Sequence, residues 1–221
     1  MNLLKLISKM YSVKEIFYSL QGEGAQTGRA TIFLRFSGCN LWNGRESDRL
    51  TAICKFCDTD FVGTDGSHGG KYPTAESLTI EILKLWPKTA GPKSKPYVVC
   101  TGGEPLLQLD APLIESLHGA GFEVGIETNG TIEVPESIDW VCMSPKPDCQ
   151  IKVSQGDELK FVFPQEHLIP ENFESMDFKH FYIQPMDGKR IKENIQLALD
   201  YCLEHPQWKL SLQSHKILGI R

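Results

Sequence analysis

Two periodicities take turns along the chain. Short runs rich in branched and aromatic residues, at 31–36, 97–100, 122–127, 139–143, 158–163, 179–183 and 208–212, are bounded by Gly, Pro or polar turns and predict strands. Between them apolar residues recur at helical spacing. Ala75, Leu78, Ile82 and Leu85 make one helix face. A second helix is predicted over 106–118, ended by Gly119 and Gly121. Ile191, Ile195, Ala198, Leu199 and Cys202 make the face of a third, stopped by Pro206. Alternating strands and helices predict an α/β fold with a parallel sheet and right-handed crossovers, as an open sheet or a partial barrel. Chemistry in such folds gathers at the C-terminal strand ends, here 101–105, 128–129, 144–146 and 184–187. One stretch, 37–72, has no such pattern and is rich in Gly, Asp and Asn; irregular segments of that length are usually functional.

Composition narrows the class. At 221 residues the chain suits one well-buried domain rather than two. A net charge of −5 offers no general surface for nucleic acid or anionic membrane. No apolar run approaches the roughly 20 residues that span a bilayer, and the opening MNLLKLISKM lacks the apolar stretch and cleavage site of a signal peptide. Seven cysteines without a paired framework predict a reducing, cytoplasmic setting, with thiols used as ligands or as small buried hydrophobes.

Three of those cysteines carry the candidate chemistry. Fourteen residues separate Cys39 from Cys54, and two separate Cys54 from Cys57. A structural zinc site would need a fourth ligand, for which His68 or Cys100 is available. Buried structural cysteines fit poorly in a loop that holds Asn43, Glu46, Asp48 and Arg49. A 4Fe-4S cluster bound through three irons leaves the fourth open to an exogenous ligand. Cys100, Cys142, Cys149 and Cys202 read as core residues without chemistry. Further along, Gly102-Gly103-Glu104-Pro105 forms a turn whose glycines allow close backbone approach to a ligand. Arg35 interrupts an apolar strand, and a buried guanidinium needs a partner. A substrate carboxylate or a core Asp or Glu would serve.

Eight blocks in order sharpen this reading. They are Tyr18-Ser19-Leu20-Gln21-Gly22-Glu23-Gly24, Phe33-Leu34-Arg35-Phe36-Ser37-Gly38-Cys39-Asn40-Leu41-Trp42, Cys54-Lys55-Phe56-Cys57-Asp58-Thr59 and Thr101-Gly102-Gly103-Glu104-Pro105. Glu127-Thr128-Asn129-Gly130, Ser144-Pro145-Lys146, Gln184-Pro185-Met186-Asp187 and the tail from Leu212-Gln213 to Gly219 complete them. From Tyr11 onward the chain resembles the 7-carboxy-7-deazaguanine synthases, radical S-adenosylmethionine (SAM) lyases of the deazapurine pathway to queuosine. It departs from the usual CxxxCxxC spacing by its long first gap. A branch of the family shares an enlarged cluster loop, whose purpose is either none, as a tolerated surface loop, or docking of the electron donor.

The resemblance implies an α/β radical SAM partial (β/α) barrel with parallel strands and a long cluster-binding loop. Residues 1–10 would be an N-terminal extension and 11–221 a single domain. Cys39, Cys54 and Cys57 would ligate the cluster, and Thr59 a magnesium ion that prefers oxygen donors. SAM would meet Phe56, Cys57, Asp58, Gly103 and Glu104, then Thr128, Asn129, Ser144, Pro145 and Lys146, and finally Gln184, Pro185, Met186 and Asp187. Leu20, Gln21, Gly22, Arg35 and Thr101 would contact the substrate, 6-carboxy-5,6,7,8-tetrahydropterin, with His215 and Arg221 closing over it. The implied reaction begins with reductive cleavage of SAM and hydrogen abstraction from C6 of the pterin. The ring then contracts and ammonia leaves. A flavodoxin or ferredoxin type electron donor and a homodimer are also implied. Three rival readings remain: a radical SAM activase of a partner protein, a zinc-stabilised binding module, and an enzyme acting directly on tRNA, which the acidic charge balance disfavours.

Overall fold

Nine strands among the described residues join in one sheet, and the hydrophobic alternation of its longer strands supplies an apolar face to pack helices against. The structure, a computed structural model, describes residues 10–91 and 93–221. The expected extension, 1–10, lies outside them apart from Met10. In chain order the elements are β1 (Tyr11–Leu20), β2 (Ala30–Phe36), β3 (Gly70–Tyr72), α1 (Ala75–Leu85) and β4 (Tyr97–Gly102). Then come α2 (Ala111–Gly119), β5 (Glu123–Thr128), β6 (Trp140–Met143), β7 (Gln155–Phe163) and β8 (Asp177–Pro185). α3 (Ile191–Glu204), β9 (Lys209–Leu210) and α4 (Ser214–Leu218) complete the chain.

The sheet order is β3-β1-β2-β4-β5-β6-β7-β8-β9. From β2 onward every pairing is parallel, while β1 pairs antiparallel with β2 and β3. A doubly wound sheet would reverse direction at a switch point. This one adds strands in a single sense, which is the winding of a (β/α) barrel left open.

The strand period of two sorts residues onto the two faces. Ile32, Leu34 and Phe36 of β2 are fully buried with Val98, Cys100, Val124 and Ile126 against α1 and α2. Leu159, Phe161 and Ile183 pack with Ala198 of α3, Phe173, Phe178 and Trp208 in a second cluster. Each such side chain contributes roughly 1.5–3 kcal/mol on burial. The intervening residues, Phe33 and Arg35 of β2, Thr101, Glu127, Lys160 and Gln184, face the opposite, concave side, where they line one cavity with Glu15 and Phe17 of β1. Residues from β1 and β8 can share a cavity only if the sheet between them curls.

Two expectations need correction, and the antiparallel strands β1 and β3 are unforeseen. The helix expected over 106–118 is broken: a 3-10 turn, Pro105–Leu107, precedes α2, which starts afresh where Asp110 Oδ1 caps the Leu113 N–H and Pro112 sits in the first turn. The strand expected over 208–212 pairs only at Lys209 and Leu210. β1 was not predicted, because a register shift between Val13 and Glu15 breaks its alternation.

Candidate active site

The cavity, about 350 Å³, opens at the C-terminal ends of the parallel strands beneath the cysteine loop. Its floor is polar. Lys160, nearly all buried, pairs with Glu23 at 2.5 Å and with Glu127 at 3.6 Å. Gln21 Nε2 donates to Glu127 Oε1 at 2.9 Å, and Gln213 Nε2 donates to Glu23 Oε1 at 2.9 Å. Burial opposes the Lys160 charge, yet Cys142, Glu127, Glu23 and Glu158 around it hold its pKa well above the ordinary value. Burial likewise opposes ionisation of Glu23, but Lys160 and Gln213 keep its carboxyl below the usual range. Burial pushes Glu158 up; its Oε2 accepts the Ala25 N–H at 2.9 Å and holds the turn after Gln21. A Cβ on Gly24 would overlap that carboxylate, and φ there is +63°.

Beside the floor, Arg35 Nε donates to Glu15 Oε1 at 3.0 Å, and Arg221 pairs with Glu15 Oε2. The strand guanidinium therefore has the acidic partner its burial requires, while still lining the cavity. Phe17 stacks on Phe33, ring centroids 5.1 Å apart, and both arginines lie over Phe17.

Cys54 and Cys57 line the cavity mouth, Cys39 lies behind it against Gly103, and none of the three is in a disulfide. Their charges are mutually felt: a hydrogen bond between Cys54 and Cys57 raises the Cys54 pKa and lowers that of Cys57 to about 6, while burial raises Cys39. Among the described residues no three His, Cys, Asp or Glu side chains close around a single ion. A cubane cluster instead takes each thiolate on a separate iron, and an all-sulfur donor set of three suits it. The candidate fourth ligands of a zinc site are elsewhere. His68 Nδ1 is 2.7 Å from Glu81 of α1, and Cys100 is sealed in the first core cluster.

The strand ends hold the loop in place. Asn129 Nδ2 donates to Asn40 Oδ1 at 2.9 Å, and Asn40 Nδ2 to Thr131 Oγ1 at 2.7 Å. Gly103 approaches Gly38 and Cys39 so closely that an added Cβ would lie 2.2 Å from the Gly38 oxygen. The close approach here is therefore to the cysteine loop itself.

Of the residues expected to contact ligands, the cavity is lined by Leu20, Gln21, Gly22, Arg35, Phe56, Asp58, Thr59, Thr101 and Gly103, with Cys54 and Cys57. Thr128, Asn129, Ser144, Lys146, Gln184, Pro185, Met186, Asp187, His215 and Arg221 line it too. Cys39, Pro145 and Glu104 do not. Glu104 was expected as a charge partner for a ligand, but it is fully buried and already committed. Its Oε1 accepts from the Leu106 N–H at 3.1 Å and Thr128 Oγ1 at 2.8 Å, and its Oε2 from the Asn129 N–H at 2.8 Å. Burial raises its pKa against those bonds. Sequence reasoning missed Glu15, Glu23, Glu127, Lys160 and Lys216. A lysine and a glutamate alternating with apolar residues in the 158–163 run were the available signal.

The tail covers the mouth. Lys216 Nζ lies 2.6 Å from Asp58 Oδ2 and 2.6 Å from Asp187 Oδ2, joining the cysteine loop to the end of β8. His215 lies over Gly22, where a Cβ would come within 2.2 Å of its Nδ1.

With this geometry in hand, the relatives are informative. No family model matches the chain. A 7-carboxy-7-deazaguanine synthase of Caulobacter vibrioides is 59% identical over 210 residues, which is 95% of this chain and 99% of the relative. One of Burkholderia multivorans is 57% identical over 210 residues, with the same coverage. The crystal structure of QueE from Escherichia coli superposes with a TM-score of 0.68 at 27% identity, covering 93% of this chain and 95% of that one.

Proposed function

Because the chain belongs to the 7-carboxy-7-deazaguanine synthase family, we propose that the cavity beneath its cysteine loop is where 6-carboxy-5,6,7,8-tetrahydropterin is contracted, with loss of ammonia, to 7-carboxy-7-deazaguanine. The chain is a radical SAM lyase of deazapurine biosynthesis. A 4Fe-4S cluster with SAM, when bound, would supply the radical chemistry that the contraction needs. The observation that carries the site assignment is the convergence on one cavity of two free thiols, Cys54 and Cys57, with Cys39 packed directly behind Gly103, together with four strand ends and a polar floor.

Cys39, Cys54 and Cys57 would hold the cluster. SAM would lie along Phe56, the strand ends at Thr128, Ser144 and Gln184, and Lys146. Gln21 and Glu127 together present a donor and acceptors at the floor, which match the amide and amine edge of a pterin. Arg35, whose Nε is held by Glu15, would turn its Nη groups to a carboxylate, and Arg221, bonded to Ser67 and Glu15, would add its charge beside it. Thr59, at the rim beside Asp58, would hold Mg2+ through its hydroxyl oxygen. Gln213, His215 and Lys216 on the tail would exclude water from the closed site. We further propose a flavodoxin or ferredoxin type donor, a homodimer, a cytoplasmic setting and one functional unit over 11–221. Among the described residues no helix is long and apolar enough to cross a membrane.

The decisive experiment is anaerobic reconstitution with iron and sulfide, followed by SAM, Mg2+, a reductant and 6-carboxytetrahydropterin, read by mass spectrometry. Formation of 7-carboxy-7-deazaguanine, lost in Cys57→Ala, is expected. Formation of 5'-deoxyadenosine with the pterin unchanged would remove the substrate assignment. Omitting Mg2+ is expected to raise KM for the pterin; unaltered kinetics would remove the ion from Thr59.

A further inference from the structure

The long gap between Cys39 and Cys54 folds back on the cluster turn through one side chain. Arg49 sits in a 3-10 turn, Glu46–Thr51, at the far end of the insertion. Its Nη1 donates to the backbone oxygens of both Lys55 and Cys57 at 3.0 Å. Its Nε and Nη2 donate to the Glu46 carboxylate at 2.7 and 2.5 Å. The guanidinium lies over the Trp42 indole, 4.1 Å from Cζ to the ring centroid, and Trp42 is itself buried against Phe61. A planar fork of fixed donors on an aromatic face holds its position far better than a flexible ammonium would.

We infer that Arg49 is a positioning residue that fastens the insertion to the Cys54–Cys57 turn and eases electron entry into the cluster which that turn holds. The inference rests on the reading of Cys39, Cys54 and Cys57 as cluster ligands. Reduction adds one negative charge to the cluster, and a fixed cation bonded to the carbonyl of a ligating cysteine lowers the cost of that charge. Arginine keeps its charge throughout the working pH range. Glu46 offsets it only in part, because the Glu46 side chain is 74% exposed and screened by water, whereas that of Arg49 is 27% exposed. A merely tolerated surface loop would have no reason to direct a guanidinium at the two carbonyls that frame Phe56 and Cys57.

The test is a redox titration of the reconstituted protein followed by electron paramagnetic resonance, with bound iron assayed alongside. Arg49→Gln is expected to move the cluster potential to more negative values, and Glu46→Gln to more positive ones. Arg49→Lys, which keeps charge but loses the fork, is expected to stay near the wild-type potential while losing iron faster to a chelator. Wild-type potentials in both Arg49→Gln and Glu46→Gln would overturn the inference. Should Arg49→Gln fail to fold or to take up iron, the exposed Glu46→Gln decides alone. Wild-type protein that takes up no iron would sink the cluster reading, and this inference with it.

Discussion

Lys160 is a single cation among Glu23, Glu127 and Glu158. Lys160→Met would leave those carboxylates buried without a counter-charge, at a cost of about 3–5 kcal/mol. The pH signature follows from the sign of the shift. In the parent protein Glu23 is held low, so its stabilisation is present above its unfolded pKa and is lost on acidification through the folded value. In the variant an orphaned carboxyl is raised by burial, so the native state binds protons that the unfolded state releases. The variant should therefore gain stability as pH falls from 7 toward 5. Over that range the Glu23 contribution in the parent stays constant, because it is lost only below the unfolded value of 4.5, and thermal melts of both proteins would check the contrast. Glu104 makes a second residue-scale case. Its two oxygens accept three hydrogen bonds, and Glu104→Gln turns an amide N–H toward either the Asn129 N–H or the Leu106 N–H and Thr128 hydroxyl. The expected loss is about 1–3 kcal/mol, roughly 2–4 °C of Tm per kcal/mol at this size. Equal melting temperatures would show that the carboxylate is not the anchor of these strand ends.

At the scale of elements, α1, α2 and α3 belong to stability, and the strand ends with α4 to the site. α1 begins with a capping box, Thr74 Oγ1 accepting the Ser77 N–H at 3.1 Å and Ser77 Oγ accepting the Thr74 N–H at 3.3 Å. No residue of α1 lines the cavity. Thr74→Ala should cost about 1 kcal/mol and lower Tm by a few degrees, with turnover by the folded enzyme unchanged. A change in kcat without a change in Tm would contradict this division. α1 and α3 were legible because their apolar residues return every three or four positions. The sequence overextends α2 because Leu106, Leu107 and Leu109 look helical in isolation, while Asp110 and Pro112 restart the chain. β1 was missed because its bulge breaks the period on which strand recognition depends.

Across the whole molecule, the tail partly covers the mouth of the site. Lys216, with about two-fifths of its side chain exposed, links Asp58 of the cysteine loop to Asp187 at the end of β8. Lys216→Ala should leave bound iron unchanged and lower kcat/KM for the pterin by about 1 kcal/mol, roughly fivefold, mainly through KM. Steady-state kinetics beside an iron assay would check it; a parallel loss of iron would mean that the tail supports the cluster loop rather than the substrate.

The candidate ligand residues and their order along the chain are legible without coordinates. Thiols at positions 39, 54 and 57, paired glycines after a strand, and the blocks from Tyr18 to Gly219 depend on local chemistry and short spacing, which a linear string preserves. So did the parallel α/β architecture, because periodicity is local. The pairing of charges did not. Arg35 was recognised as needing a partner, but only the register of β1 on β2, with Glu15 opposite Arg35, selects Glu15. Glu104 was placed in the right turn and given the wrong direction, since whether a carboxylate faces a ligand or the protein depends on which strand end lies behind it. Lys216, Asp58 and Asp187 are distant in sequence and meet only because the curled sheet brings its C-terminal edges beneath one loop. Burial and long-range electrostatics are properties of that closure, and no local pattern encodes them.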